Sequence, residues 1–324
     1  MSGRIVYWNG LFVPESEARL SIYDSACLFG DMVFEMTRSF NKTQFKLVEH
    51  LKRLKTSARW LHIPLDVPMA KLEDICYETM RRNDPVFAKD DEHRLMINVT
   101  RGVLGIYQGV VGVRPGTNII IADFPLRWTV RGMGKLFDDG INAVIPSQRS
   151  IPASLLEPKA KTRSRVHLMM ANIQASRMKG DNNWPLLLDP DGFISEGTGD
   201  NFFIVKDGKL FTPEPRNILR GISRQYVFEL ARELEMPCVE KNIEPFDVLE
   251  ADEAFMTGTP FCLLPVVSLD GVKIGRGMPG PTSFGLLHLW GEKVGVDIKQ
   301  QIQEWDRKNA GPVNGVSPYR FEED

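Results

Sequence analysis

The sequence has little of several features that would assign it to a specialised class of protein. Its four cysteines, Cys27, Cys76, Cys238 and Cys262, lie far apart and form no CxxC pair. A disulfide framework and a cysteine zinc site are therefore not supported, and we expect free thiols in a reducing cytoplasm. The longest apolar runs, such as residues 119–122, are too short to span a bilayer.

An excess of charge of either sign is also missing. The chain carries 40 Lys and Arg against 42 Asp and Glu, a net charge of −2, and its basic residues are spread out. This gives no electrostatic reason to expect nucleic-acid or anionic-membrane partners. No signal peptide precedes the first strand-like pattern, so we predict a cytoplasmic protein.

What is present indicates a globular protein of mixed structure. The 324 residues are 43% hydrophobic and 25% charged, which is ordinary for a soluble protein of one or two domains. Strand and helix patterns are both frequent but do not alternate strictly, so an α+β fold is favoured over a doubly wound sheet.

Local patterns predict several elements and the domain bounds. Residues 3–13 predict a hairpin around Asn9-Gly10, and residues 30–40 a long strand followed by a second over 45–47. Leucines at helical spacing predict a helix from Leu47 to Leu61, and a last helix is expected near 283–304. A Pro-, Arg- and Gly-rich stretch over residues 124–134 predicts a linker. We predict a small domain over 1–124, an interdomain loop over 125–135, a large domain over 136–305 and a polar tail over 306–324.

A lysine and a glutamate in the middle of the chain are candidate reactive groups. Lys161 is followed closely by Arg163 and Arg165, just before an apolar helix. Burial and neighbouring positive charge favour the neutral amine that a Schiff base requires. A surface basic cluster is the alternative, and Lys159 is a competing lysine. Glu196 precedes a Gly-rich loop, where it is either a functional counter-charge or an ordinary exposed carboxylate.

Candidate phosphate contacts follow. Gly221, Ile222 and Ser223 open an amphipathic helix whose first N–H groups suit an anion, although a plain serine N-cap explains the same residues. The stretch 257–260 ends a strand with hydroxyls and a glycine, which indicates either another phosphate contact or simply a turn. An amine, a carboxylate and a phosphate cradle are together the groups needed to hold pyridoxal phosphate (PLP).

The span from Glu196 to Arg224 resembles the signature of the class IV aminotransferases, the fold-type IV PLP enzymes. Segments 29–38, 49–54, 189–196 and 255–259 also look like parts of this family, and the resemblance covers roughly residues 3–305. It implies a two-domain enzyme with a small α/β domain and a larger cofactor-binding domain built around a β-barrel-like core. It also implies a homodimer with a shared active site.

The resemblance implies roles for individual residues. Lys161 forms the Schiff base and carries the proton, and Glu196 pairs with the pyridine nitrogen. The other implied cofactor-binding residues are Arg53, Arg165, Gly221, Ile222, Ser223 and Thr259. The implied substrate-binding residues are Phe34, Met36, Arg38, Arg101, Tyr107, Thr257, Gly258 and Pro260. The first three of these alternate along one strand and therefore share a face. No metal is implied.

Within the family the chain looks most like branched-chain aminotransferases, with two departures. Val166 stands where those enzymes generally have a tyrosine, and Met36 where they tend to have a glycine. Residues 98–102, NVTRG, resemble D-amino acid enzymes, whose Arg-x-His clamp is nevertheless missing here. The residue that grips the substrate carboxylate is thus left open among Arg38, Arg101, Arg165 and Tyr107, with Arg38 first.

The resemblance predicts transamination between an apolar or branched-chain L-amino acid and a 2-oxo acid such as 2-oxoglutarate. Three alternatives stay open from the sequence: a D-amino acid or (R)-amine transaminase, an aminodeoxychorismate lyase, and a PLP-binding protein without turnover.

Overall fold

Contacts between residues divide the chain into two compact units. The computed structural model describes residues 3–109 and 114–308. The first unit runs to residue 129 and also contains residues 160–165, whereas the second contains residues 130–159 and continues from residue 166. The segment around Lys161 therefore groups with the N-terminal unit, although it lies within the stretch predicted as the large domain. The domain bounds inferred from sequence stay a prediction.

The first unit combines an antiparallel sheet with two long helices. Its strands are β1 (Ile5–Trp8), β2 (Leu11–Pro14), β3 (Met32–Met36), β4 (Ser39–Phe40), β5 (Thr43–Gln44), β6 (His93–Thr100) and β7 (Asn118–Pro125). Its helices are α1 (Ser25–Phe29), α2 (Leu47–Trp60) and α3 (Met69–Asn83), and α4 (Arg127–Val130) follows at its boundary.

Five of these strands form a sheet in the order β2-β1-β7-β6-β3. One face of the sheet carries a core in which Val33, Leu95 and Ile97 lie with leucines of α2 and α3. Because side chains alternate along a strand, the neighbouring residues of β3 and β6 point to the other face. This second face holds the candidate residues described below.

The second unit is built around a closed barrel. Its strands are β8 (Ile141–Val144), β9 (Asn183–Leu188), β10 (Ile194–Gly197), β11 (Asn201–Lys206), β12 (Lys209–Pro213), β13 (Cys238–Lys241), β14 (Glu253–Gly258), β15 (Cys262–Leu269) and β16 (Val272–Lys273). Pairing of β10 with both β9 and β11 closes a ring of six strands, β10-β9-β8-β15-β14-β11. The predicted barrel-like core and α+β class are confirmed.

The helices described for the second unit are interspersed with its strands along the chain. They are α5 (Leu136–Asp139), α6 (Val166–Arg177), α7 (Ile222–Glu233), α8 (Pro245–Leu249), α9 (Pro281–Val294) and α10 (Ile298–Lys308). None of the helices in the described residues is long and apolar enough to cross a membrane. The four cysteines are free thiols.

Some element predictions are confirmed and others are wrong. The hairpin around Asn9-Gly10 forms, with both turn residues at positive φ, 49° and 100°. The strand predicted over 45–47 is wrong, because pairing ends at Gln44 and α2 begins at Leu47. The single last helix is also wrong, because Gly295 adopts φ 67° and separates α9 from α10. Helix α10 runs through the first residues of the predicted tail, and that tail lies outside the described residues from position 309.

Candidate active site

Lys161 lies on a short extended segment at the edge of the first unit's sheet. The carbonyl of Lys161 accepts the N–H of Phe34 at 3.0 Å, and the N–H of Arg163 donates to the Met32 carbonyl at 2.8 Å. Between them Thr162 pairs with Val33 in an antiparallel bridge. Because β3 is the edge strand of the sheet, residues 160–165 form hydrogen bonds with backbone groups of β3 that would otherwise be unpaired.

The segment places three cations around one aromatic ring. The centre of the Phe34 ring lies 4.8 Å from Lys161 Nζ, 3.7 Å from Arg163 Cζ and 5.4 Å from Arg165 Cζ. Alternate residues of an extended chain share a face, which explains why all three reach the same ring. Cations over an aromatic face are attracted by its quadrupole. The structure thus brings together predicted residues Lys161, Arg165 and Phe34.

The same face of the sheet continues away from Lys161 along paired residues. Phe34 is opposite Asn98, and Met36 is opposite Met96. Val33 and Glu35 point to the helix-covered face instead. The surface beside Lys161 is therefore apolar at its centre and polar where Asn98 lies.

Arg94 is a candidate residue that sequence reasoning missed. Its side chain is 8% exposed, and its Nε and Nη1 atoms have no hydrogen-bond partner within the described residues. Nη2 lies 3.7 Å from the sulfur of Met36. Burial, and secondarily the charge of Arg38, lowers the pKa of Arg94 to about 10. The alternation of strand 93–100 places Arg94 on the same face as Met96, and this was the available signal.

Arg38, the leading carboxylate candidate from sequence, is also buried. Its Nε donates to the Ser39 carbonyl at 3.2 Å, and its guanidinium lies 3.8 Å from the centre of the Phe40 ring. Two buried guanidiniums, Arg38 and Arg94, are therefore close enough to influence each other. The incompletely bonded guanidinium of Arg94 favours an anionic ligand, because buried charge is costly without a counter-charge.

Arg53 is held by a buried carboxylate. Its Nε and Nη2 donate to the two oxygens of Glu35 at 2.6 and 2.8 Å, and His50 Nδ1 lies 2.7 Å from the same carboxylate. Burial alone would raise the pKa of Glu35, but Arg53 and His50 outweigh it and hold that pKa well below its ordinary value. The ion pair fixes the orientation of Arg53, the predicted phosphate ligand.

Arg101 and Tyr107 have other contacts in the first unit. Arg101 Nε donates to Asp31 at 2.6 Å, and its two Nη atoms each donate at 2.7 Å to carbonyls at the end of α2. Tyr107 packs against Tyr23 with ring centres 5.3 Å apart. The contacts of Arg101 are those of a helix cap.

Glu196 lies at the point where the barrel of the second unit closes. Glu196 on β10 pairs with Asn201 on β11, and Asn201 pairs in turn with Thr257 on β14. The predicted residues Glu196 and Thr257 therefore lie on either side of Asn201. The carboxylate accepts from Asn201 Nδ2 at 2.9 Å and from the N–H of Leu219 at 3.1 Å. Glu196 is thus a fixed, oriented carboxylate.

The side chain of Asn201 also forms a hydrogen bond with the turn before α7. Asn201 Nδ2 donates to the Leu219 carbonyl at 3.0 Å, and a Cβ added to Gly221 would collide with the amide oxygen of Asn201. Ile222 and Ser223 follow in the first turn of α7, where N–H groups have no intrahelical acceptor. No side-chain cap occupies this end, so the predicted serine N-cap alternative is not what the helix uses.

The other predicted residues of the second unit lie at the β14–β15 turn. Thr257 Oγ1 donates to the Cys262 carbonyl at 2.6 Å, and Gly258 is opposite Cys262. A side chain at Gly258 would press on the Phe261 ring. Thr259 and Pro260 are the half-buried residues at the tip of this turn.

The residues of each unit suit part of PLP. The first unit offers an amine with neighbouring guanidiniums, and the second offers a fixed carboxylate beside a helix N-terminus that a single added Cβ would crowd. These are the groups that bind the aldehyde, the ring nitrogen and the phosphate. Within residues 3–109 and 114–308, no group of three His, Cys, Asp or Glu side chains is placed to hold a metal ion.

Comparisons with known proteins agree with this chemistry. Residues 32–269 match the family model of the class IV amino-transferases. A putative branched-chain-amino-acid aminotransferase of Methanocaldococcus jannaschii is 39% identical over 301 residues, 89% of this chain and 98% of that protein. The branched-chain-amino-acid aminotransferase of Escherichia coli K12 is 30% identical over 288 residues, 86% and 89% of the two chains.

A solved structure shows the same likeness in three dimensions. The T.th. branched-chain amino acid aminotransferase complexed with N-(5'-phosphopyridoxyl)-L-glutamate aligns with a TM-score of 0.79 and 29% identity. The alignment covers 94% of this chain and 97% of that one.

Proposed function

The chain belongs to the class IV aminotransferases, and on that basis we propose that it transfers the amino group of branched-chain L-amino acids to 2-oxoglutarate. It is a PLP-dependent enzyme that catalyses transamination. The relatives do not favour the D-amino acid, (R)-amine, lyase or non-catalytic alternatives. Their names support branched-chain donors, and the phosphopyridoxyl-glutamate complex supports glutamate and its 2-oxo acid as the second pair.

The observation that carries the proposal is the buried, incompletely bonded guanidinium of Arg94 beside Met36. Met36 and Met96 supply adaptable apolar surface for a branched side chain. Arg94, with Arg38 next to it, supplies charge for the distal carboxylate of 2-oxoglutarate. One surface can thereby accept both an apolar donor and a dicarboxylate acceptor in alternate half-reactions.

The cofactor roles expected from sequence are retained in this proposal. Lys161 binds the cofactor aldehyde covalently and moves the proton at the substrate Cα. Glu196 binds the pyridine nitrogen, and its hydrogen bonds from Asn201 and Leu219 hold it in place. The phosphate contacts are Arg53, Gly221, Ile222, Ser223 and Thr259, with Arg165 near the reactive lysine. When bound, PLP withdraws electrons from that Cα.

We also propose a homodimer in the cytoplasm. Apolar side chains are strongly exposed in each unit, including Phe29 and Ile106 in the first, and Val166 and Met169 in the second. Val166, Met169 and Met170 share one face at the start of α6, and a clustered apolar patch of this kind is typical of an association surface. Light scattering coupled to gel filtration measures the mass directly, and a monomer at micromolar concentration would contradict this part of the proposal.

A donor and acceptor panel tests the reaction. L-leucine, D-leucine and both enantiomers of 1-phenylethylamine are each paired with 2-oxoglutarate and with pyruvate. We expect L-leucine with 2-oxoglutarate to be the best pair by kcat/KM. A preference for D-leucine or an aryl amine would refute the proposed substrate class, and pyruvate release from aminodeoxychorismate without an acceptor would favour the lyase.

A further inference from the structure

Arg163 lies beside the reactive lysine and has no negatively charged partner among residues 3–109 and 114–308. Its Nε and Nη2 donate to the Asn98 side-chain oxygen at 3.2 and 2.9 Å, and its guanidinium covers the Phe34 ring. Both partners are neutral. Within the described residues Arg163 makes no ion pair, and its Nη1 atom makes no hydrogen bond.

We propose that Arg163 binds the α-carboxylate of the substrate, and that Asn98 positions it for this task. The inference rests on the proposed function, and it names the group that recognises the carboxylate common to all amino acid and 2-oxo acid substrates. Arg94 then serves the second carboxylate of a dicarboxylate only.

Geometry supports the assignment. Lys161 Nζ and Arg163 Cζ both lie less than 5 Å from the centre of one ring, on the same side of an extended segment. The substrate Cα must approach Lys161 Nζ for proton transfer, and the α-carboxylate is one bond away from that carbon. A carboxylate placed there meets the guanidinium of Arg163.

The distance along the strand separates this role from that of Arg94. Arg94 contacts Met36, which is two residues beyond Phe34 on β3. Two residues of a strand span about 6.7 Å, so Arg94 and Arg163 contact neighbouring side chains on the same face of β3. The two guanidiniums therefore contact different residues of β3, so each can serve a different carboxylate of 2-oxoglutarate.

Electrostatics points in the same direction. Burial, and then the charge of Arg165, lowers the pKa of Arg163 to about 10. Positive charge is thus held where neither a carboxylate nor bulk water compensates it fully. An anionic ligand would relieve this, and such charge-assisted contacts are the strong ones.

Binding of unreactive probes to the cofactor-loaded enzyme tests the proposal. The probes are 4-methylpentanoate and its uncharged amide, and binding is followed through the cofactor absorbance. In Arg163→Gln we expect the dissociation constant of the acid to rise about tenfold to hundredfold, with that of the amide within about threefold. Arg59→Gln removes the same charge from an exposed position on α2 and should change neither.

A second variant guards against misfolding of the first. Asn98→Asp leaves Arg163 in place and gives it the carboxylate it lacks, so acid binding should weaken in the same way. The proposal is overturned if the acid binds both variants as it binds wild type, or if acid and amide weaken together. It is also overturned if Arg163→Gln instead releases the cofactor, since Arg163 would then bind the phosphate.

These outcomes are distinguishable from failure of the proposed function. Probe binding reports carboxylate recognition whatever donor is turned over. If wild type does not exchange L-leucine with 2-oxoglutarate, the substrate assignment fails, while the acid-over-amide preference still decides the role of Arg163.

Discussion

Arg94 should lower the stability of the protein while it enables binding of 2-oxoglutarate. Lowering an arginine pKa from 12.5 to about 10 is equivalent to about 3 kcal/mol against folding with the charge in place. At pH 7 the folded and unfolded chains both carry the charge, so the full cost applies. Replacing Arg94 with Met removes the charge and keeps an apolar side chain next to Met36.

We expect Arg94→Met to stabilise the protein by about 1–3 kcal/mol, less than the full cost because some packing of the longer side chain is lost. At about 2.1 cal/mol/K of unfolding entropy per residue, this corresponds for 324 residues to a Tm higher by roughly 2–5 °C. At the same time, the KM for 2-oxoglutarate should rise at least about tenfold, because a charge-assisted contact is lost. The KM for 4-methyl-2-oxopentanoate should stay within about threefold.

Calorimetry and steady-state kinetics of the loaded enzyme measure the two effects together. Arg59→Met, at an exposed position on α2, is the matched control and should leave both the Tm and the two KM values unchanged. The reasoning is refuted if Arg94→Met lowers the Tm, because Arg94 would then be satisfied in the folded state. It is equally refuted if both acceptors weaken in proportion.

Three further predictions follow from the site. Lys161→Ala should abolish the visible absorbance band of the bound cofactor, whereas Lys159→Ala should keep it; the opposite result would exchange the two assignments. Glu35→Gln should lower the free energy of unfolding by about 3 kcal/mol at pH 7, because it leaves the partly buried Arg53 without its Glu35 counter-charge. Since folding lowers the pKa of Glu35, the stability difference between wild type and Glu35→Gln should be constant above about pH 5 and shrink as the pH falls below 4.5, the ordinary pKa of a glutamate. Equal stability of the two proteins at pH 7 would exclude the ion pair. Gly221→Ala should weaken cofactor binding about tenfold in a fluorescence titration, because the added methyl group displaces the Asn201 amide. Gly199→Ala is the control and should bind the cofactor normally, because Gly199 has open space around it. Equal affinities for wild type and both variants would show that the turn is not a cofactor contact.

Features set by neighbouring residues were predictable from the sequence. Asn9-Gly10 forces a tight turn wherever it stands between strand patterns, and the leucine spacing from Leu47 marks a helix face. The shared face of Phe34 and Met36 follows from strand periodicity alone. The family signature added the identity of the cofactor.

Features set by distant residues were not predictable. A sequence shows that Arg94 is a cation in a strand, but not that its neighbours leave two of its nitrogens without partners among the described residues. Nor does it show that Thr162 pairs with Val33, more than a hundred residues earlier. The break at Gly295 was visible as a glycine, but an apolar pattern on both sides disguised it.

The pairing of residues 160–165 with β3 determines how the chain can be divided. A fragment ending at Thr129 would contain every strand of the five-stranded sheet but would leave β3 as a bare edge, with the peptide groups of Met32 and Phe34 unpaired. Bare edges recruit other chains and aggregate. A stand-alone N-terminal unit would therefore need the 160–165 segment joined back to it, since the structural unit is not a continuous stretch of sequence.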